Sequence, residues 1–131
     1  HKPPLAKWPA AAIRPWRAVS KPTYPRQGPK SIRHLHDTVR RIMWDFVGIV
    51  RTTDRLRRAS NHLRLVRDEV EDFYKRTVIT PSLLELRNAT HVARLITECA
   101  IRRKESRGLH ASLDFPRHAL APADTVLKHR V

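Results

Sequence analysis

After residue 30, apolar residues recur every three or four positions, the spacing of a helix that buries one face. The clearest stretch alternates steps of three and four through Leu56, Ala59, Leu63, Val66, Val70 and Phe73. Such a narrow seam is typical of an antiparallel bundle. An earlier stretch has the same spacing, through Ile32, Leu35, Val39, Ile42, Met43 and Phe46, and Trp44 beside it is expected at the core edge. These patterns predict an all-α fold.

Three helices are predicted, over about residues 32–47, 53–76 and 82–105. Ser31 is the candidate N-cap of the first helix, and Gly48 is expected to end it. Thr53 is expected to cap the second helix, and Pro81 to stand in the first turn of the third. We therefore predict one antiparallel three-helix domain over residues 31–116.

The third predicted helix is apolar over a wide arc. On a helical wheel, this arc of about 200° contains Leu84, Leu86, Ala89, Val92, Ala93, Leu95, Ile96, Cys99 and Ala100. It is about twice as wide as the stripe that a surface helix needs. Glu85 and Asn88 also fall inside it, so they would need buried partners. Because two neighbouring helices cover only part of such a face, we predict a further partner that this chain does not supply.

The two ends of the chain differ from its centre. Seven of the ten prolines lie in residues 1–30, and proline blocks helix interiors and central strands. This part is predicted to be an extended, Pro-rich basic arm or linker. Its aromatic residues, Trp8, Trp16 and Tyr24, suggest that it lies on a surface, although a tail with incidental aromatics is the alternative. Residues 117–131 are predicted to form a loose tail.

The formal net charge of +15 raises the question of nucleic-acid binding. More than half of the excess lies in residues 1–33, and acidic residues interleave with the arginines of the first two helices. No helix-turn-helix spacing or aromatic platform accompanies the charge. Nucleic acid is therefore not the expected partner. A basic helical nucleic-acid-binding protein and a free-standing interaction module remain the alternatives.

The sequence contains no signature of a catalytic, cofactor-binding or metal site. Its three glycines form no Gly-x-Gly-x-x-Gly turn, and its histidines and cysteine lack the spacing of a metal site. No uncharged apolar run approaches the ~18–20 residues of a membrane span. The single cysteine, Cys99, is expected to be a buried structural thiol. It excludes a disulfide framework and favours a reducing compartment, for which we expect the cytoplasm.

Residues 102–116 carry a dense set of charged and polar groups around Gly108, a candidate helix stop. Packing does not require so many polar groups beyond a helix end, so we interpret the stretch as a docking segment. A solvated helix terminus is the alternative. The candidate docking residues are Arg103, Glu105, Ser106, Arg107, His110 and Asp114, together with Glu85 and Asn88 of the third helix.

This stretch, together with Met43–Thr52 and Leu83–Asn88, resembles the C-terminal helical domain of the L-aspartate oxidases. Those enzymes belong to the succinate dehydrogenase/fumarate reductase flavoprotein family. The resemblance covers about residues 31–116 and includes Arg-x-Glu-Ser-Arg-Gly-x-His followed by Asp-Phe-Pro. The segment Trp44–Arg51 favours the oxidase branch, whereas Ala111 stands where the oxidases usually have an aromatic residue.

The resemblance implies an FAD enzyme that oxidises L-aspartate to iminoaspartate in de novo NAD biosynthesis. The family's dinucleotide fold and substrate-binding residues lie upstream of this domain, and none of their motifs occurs here. The resemblance therefore implies a non-catalytic domain, inactive alone, that docks on and stabilises the flavin-binding and capping domains of the same enzyme.

Overall fold

The computed structural model describes residues 29–128. The elements within them follow in the order α1 (Pro29–Phe46), β1 (Val50–Arg51), α2 (Thr53–Arg76), α3 (Pro81–Arg102) and β2 (Ala111–Ser112). The three helices pack against one another, which confirms the predicted all-α class, while their antiparallel arrangement stays a prediction. The predicted N-terminal arm lies outside the described residues, except that Pro29 and Lys30 begin α1.

The cores of α1 and α2 follow the apolar spacing of the sequence. The buried residues of these helices are Leu35, Val39, Ile42, Leu56, Ala59, Leu63, Val66 and Val70. Trp44 departs from the prediction of a core-edge position, because its side chain is 86% exposed. It follows Met43 directly and is therefore turned by about 100° from a residue that packs on the core.

The core side of α3 is displaced from the centre of the predicted apolar arc. Its buried residues are Leu83, Leu86, Thr90, Ala93, Thr97 and Ala100. The two threonines can be buried because each Oγ1 donates a hydrogen bond, 2.8 Å long, to the carbonyl four residues earlier. The core side thus combines Leu86, Ala93 and Ala100, from one edge of the predicted arc, with Leu83 and the two threonines, which lie outside the arc. The rest of the arc faces away from the core.

The starts of α1 and α2 differ slightly from the predicted caps. Because α1 begins at Pro29, Ser31 lies inside the helix and does not cap it. At α2, the cap is Thr52, whose Oγ1 accepts a hydrogen bond of 3.2 Å from the backbone N–H of Arg55. Thr53, the predicted cap, is the first residue of α2.

The third helix is shorter at its C-terminus than predicted. It begins with Pro81 after the capping residue Thr80, and it ends at Arg102. Arg103 already has extended backbone angles, so the chain leaves the helix five residues before Gly108. The predicted role of Gly108 as a helix stop is therefore wrong.

A short parallel sheet, which the apolar spacing does not predict, joins the segment after α3 to the segment after α1. Val50 lies opposite Ala111 and Arg51 opposite Ser112. The described part of the predicted tail, residues 117–128, contains no helix or strand. It is hydrogen-bonded to the residues that follow α3. No helix in residues 29–128 is both long and apolar enough to cross a membrane.

Candidate docking site

The segment after α3 folds into a compact unit, residues 103–115, which we call the clasp. Its β2 strand binds β1, where the N–H of Leu113 donates to the carbonyl of Arg51 over 2.9 Å. Arg107 and His110 exchange two backbone hydrogen bonds of 2.9 and 3.1 Å across a tight turn. Gly108 occupies this turn with a φ of +57°, a left-handed conformation that glycine adopts without a steric penalty. The clasp therefore lies where α1 ends and α2 begins.

Glu105 is the centre of the clasp and is only 5% exposed. Its Oε1 accepts a hydrogen bond of 3.1 Å from Nε of Arg103. Its Oε2 accepts bonds of 3.0 Å from Nε of Arg107 and from the backbone N–H of Ala119. The Ala119 N–H, followed by the two guanidinium groups, lowers the pKa of Glu105 to about 2, even though burial acts in the opposite direction.

Arg51 and His110 connect the clasp to the end of α1. Nε of Arg51 donates to the carbonyl of Gly48 over 2.7 Å, and its Nη1 lies 2.7 Å from Nδ1 of His110. On the other side of the imidazole ring, Nε2 lies 3.2 Å from the carbonyl of Arg103. The buried His110 thereby bridges the carbonyl that follows α3 and the guanidinium that binds the carbonyls after α1.

Asp114 and Ser106 complete the clasp. Oδ2 of Asp114 accepts a hydrogen bond of 2.6 Å from the backbone N–H of Thr53, at the start of α2. Hydrogen bonds from the backbone and side chain of Thr53 lower the pKa of Asp114. Oγ of Ser106 accepts from the N–H of Ser112 over 2.8 Å and donates to the carbonyl of Phe115 over 2.8 Å. Each of these hydrogen bonds joins two groups of this same chain.

The second surface of interest is the outer face of α3, opposite its core side. It consists of Leu84, Glu85, Asn88, Val92, Leu95, Ile96 and Cys99. Its four large apolar side chains, Leu84, Val92, Leu95 and Ile96, are between 41% and 55% exposed. Cys99 is partly exposed, so the prediction of a buried thiol is wrong. Glu85 and Asn88 are exposed, so neither has the buried partner that a covered arc would require.

The structure divides the predicted docking residues between these two surfaces. Six of them meet in the clasp, whereas Glu85 and Asn88 lie roughly 25 Å away along α3. The docking role of all eight stays a prediction. The sequence analysis missed Arg51 as a partner of His110, although Arg51 lies in the segment Trp44–Arg51 that carries the resemblance.

An open cleft of about 280 Å³ lies between α1 and α2. The cleft is lined by His34, Asp37, Thr38, Arg41, Ile42, Asp45, Phe46 and His62. Within residues 29–128, no group of three or more histidine, cysteine or acidic side chains is arranged to hold a metal ion.

Comparison with known proteins gives one family and a consistent group of relatives. The chain is 48% identical over 96 residues to the L-aspartate oxidases of Yersinia pestis and Pseudomonas aeruginosa, which covers 73% of this chain and 18% of each relative. It is 34% identical over 91 residues to an uncharacterized FAD-dependent oxidoreductase of Methanocaldococcus jannaschii, covering 69% of this chain and 17% of that protein. The chain thus spans less than a fifth of the length of these curated relatives.

The family match covers most of the chain. Residues 36–130 match the family described as fumarate reductase flavoprotein C-term. This range contains the C-terminal part of α1, from residue 36 onward, the whole of α2 and α3, and the clasp. The chain therefore belongs to the family of fumarate reductase flavoprotein C-terminal domains.

Proposed function

We propose that this chain is the non-catalytic C-terminal domain of an FAD-dependent L-aspartate oxidase, the enzyme that forms iminoaspartate in de novo NAD biosynthesis. The 48% identity to two L-aspartate oxidases supports the oxidase branch of the family. The name of the Methanocaldococcus relative supports FAD as the cofactor. The domain would act in the cytoplasm and, without the upstream part of the enzyme, would be inactive.

The observation that carries this proposal is the outer face of α3. A surface helix normally has one apolar face toward the core and polar residues opposite. In α3 the core side is buried, yet Leu84, Val92, Leu95 and Ile96 lie in solvent on the other side. Apolar residues clustered on an exposed face mark an interaction surface. Because the chain spans 18% of the oxidases it matches, the remaining part of such an enzyme is the natural partner.

The flavin would be held by that remaining part, since this chain lacks a Gly-x-Gly-x-x-Gly turn. When bound, FAD accepts the hydride that leaves the substrate. The contribution of this chain would be structural. The outer face of α3 would exclude water from the surface that it covers, and the clasp would keep the three helix ends together while it does so.

Complementation tests the proposal. The Yersinia pestis oxidase, shortened by the region that matches this chain, would be mixed with the 131-residue chain, and aspartate-dependent hydrogen peroxide and retained FAD would be measured. We expect both to rise on mixing. No rise in either quantity would contradict the assignment.

A matched pair of variants tests the docking surface. Leu95→Glu places a charge on the outer face of α3, whereas Leu65→Glu places one on α2, at a leucine of similar exposure, 60% against 55%. A charge buried in an apolar interface is costly, so Leu95→Glu should weaken complementation by at least about tenfold. Leu65→Glu should leave it nearly unchanged. Equal complementation by the two variants would argue against docking through α3.

A further inference from the structure

The charges around Glu105 do not balance. Arg103 and Arg107 both bind this carboxylate, Arg103 to Oε1 and Arg107 to Oε2, at 3.0 Å in each ion pair. Two guanidinium groups therefore share one negative charge. Both arginines are also only partly exposed, with side chains 26% and 33% accessible. A positive charge that is shielded from water in this way gains more from an additional anion than a fully solvated one.

The N–H groups that Glu105 leaves unused are directed at the chain segment 119–126, which we call the strap. Nη1 of Arg103 donates to Oγ1 of Thr125 over 3.2 Å, and its Nη2 donates to the carbonyl of Ala123 over 3.1 Å. Nη2 of Arg107 donates to the carbonyl of Ala119 over 3.3 Å. All three acceptors are neutral. Hydrogen bonds from a guanidinium to an ionised oxygen are shorter and stronger than these.

Little else holds the strap within the described part of the chain. It contains no helix or strand, and nearly all of its residues are exposed. Leu120 and Val126, its two large apolar side chains, are both exposed. The strap is attached by the arginine contacts, by the N–H of Ala119 on Glu105 and by a bond of 3.4 Å from Arg102 to the carbonyl of Val126. Its displacement would therefore uncover the two arginines without opening the helical core.

We infer that Arg103 and Arg107 form an anion site covered by the strap, which takes a phosphate or carboxylate group. The planar guanidinium fork matches the geometry of both groups. An incoming oxyanion would replace the neutral oxygens of Ala123 and Thr125 as acceptor, while Glu105 keeps the two arginines in place. No bond is made or broken in this exchange except hydrogen bonds. The inference does not depend on the assignment as an oxidase domain.

Titration calorimetry of the 131-residue chain at low salt tests the site, with inorganic pyrophosphate and citrate as separate probes. Arg103→Gln and Arg107→Gln should each weaken binding by about tenfold or more, since each removes a charged donor pair. The control is Arg58→Gln, because Arg58 is an exposed arginine on α2 that pairs with Asp54. It removes the same charge elsewhere and should change the affinity less than about twofold.

A variant of the strap distinguishes loss of the anion site from loss of folding, because it is expected to strengthen binding. Thr125→Val keeps both arginines and Glu105 but removes the acceptor of Nη1 of Arg103. The strap then competes less well, and the probe should bind about two to ten times more tightly. Binding of pyrophosphate alone would assign the phosphate class, and binding of citrate alone the carboxylate class. The inference is overturned if neither probe binds, if Arg58→Gln weakens binding as much as Arg107→Gln, or if Thr125→Val binds no more tightly.

Discussion

Arg51 and His110 are 59 residues apart in the sequence, and Nη1 of Arg51 lies 2.7 Å from Nδ1 of His110. A guanidinium can only donate, so Nδ1 must accept. Nε2 then carries the proton, which it donates to the carbonyl of Arg103 over 3.2 Å. The ring is therefore neutral, and its tautomer follows from its two partners. Burial, and next the charge of Arg51, lowers the pKa of His110 below its ordinary value of 6.5.

This relationship predicts a pH dependence of stability. In the unfolded chain His110 takes up a proton near pH 6.5, whereas in the folded chain it resists protonation to lower pH. The unfolded state thus binds more protons in this range, so the free energy of unfolding falls as pH drops below about 6.5. Urea unfolding from about pH 8 to about pH 5 should show the fall. His110→Gln should reduce it, and an identical fall in the variant would refute the role of His110.

Glu105 predicts a second loss of stability at lower pH. The pKa of Glu105 is about 2 in the folded chain, against 4.5 ordinarily. Its contribution is therefore complete above about pH 4.5 and is lost as pH falls toward 2. Glu105→Gln should lower the melting temperature at neutral pH and weaken the acid dependence. The exposed Glu85 supplies the control, because Glu85→Gln should leave the melting temperature at neutral pH nearly unchanged. Equal melting temperatures for the two variants would contradict the central position of Glu105.

The burial pattern of α2 predicts that alanine substitution of two nearby leucines has very different effects on the free energy of unfolding. Leu63 is fully buried, whereas Leu65 is 60% exposed. Leu63→Ala leaves a cavity and should reduce the free energy of unfolding by about 2–5 kcal/mol. Leu65→Ala, which removes the same atoms from solvent-exposed surface, should change it by less than about 0.5 kcal/mol. Denaturant titration of both variants decides the point, and comparable losses would place the core on a different side of α2.

Gly108, in the clasp, and Gly48, after α1, predict opposite effects on stability when each is replaced by alanine. Gly108 has a φ of +57°, so Gly108→Ala should cost about 1–2 kcal/mol of stability from backbone strain alone. No atom lies within 4 Å of the added methyl group, so steric contact does not contribute. Gly48 lacks a positive φ, and a Cβ there would lie 3.5 Å from the carbonyl oxygen of Trp44, an ordinary contact. Gly48→Ala should therefore be neutral or stabilising by up to about 1 kcal/mol. A larger loss at Gly48 than at Gly108 would contradict this description.

The buried faces of α1 and α2 could be predicted from the sequence, because their apolar residues repeat at the period of a helix. Positions such as Leu56 and Leu63 repeat at the helical period, and both are buried. The core side of α3 is harder to predict, because two of its buried residues, Thr90 and Thr97, are polar and would be expected at the surface. Their hydroxyl groups are satisfied by carbonyls of the same helix, and only the structure shows that these positions face the core.

The clasp could be predicted only as a dense group of polar residues. Its contacts join positions far apart in the sequence, such as Thr53 and Asp114, which are separated by 61 residues. No period or spacing specifies such a pair. The charged stretch of residues 102–116 therefore suggested contacts with an external partner, whereas many of its polar groups bind one another and the ends of α1 and α2.

The single cysteine offers a direct test of docking, which rests on the proposed function. Cys99 is partly exposed and lies on the outer face of α3, beside Leu95 and Ile96 in the helical arrangement. In the chain alone, a thiol reagent such as iodoacetamide should modify it. When the shortened Yersinia pestis oxidase is added, burial of this face should slow the modification by at least about tenfold. Leu95→Glu, which disrupts the surface, should restore the original rate, whereas Leu65→Glu should retain the protection. Unchanged modification of Cys99 in a mixture that has regained aspartate-dependent peroxide formation would show that the enzyme assembles through another surface.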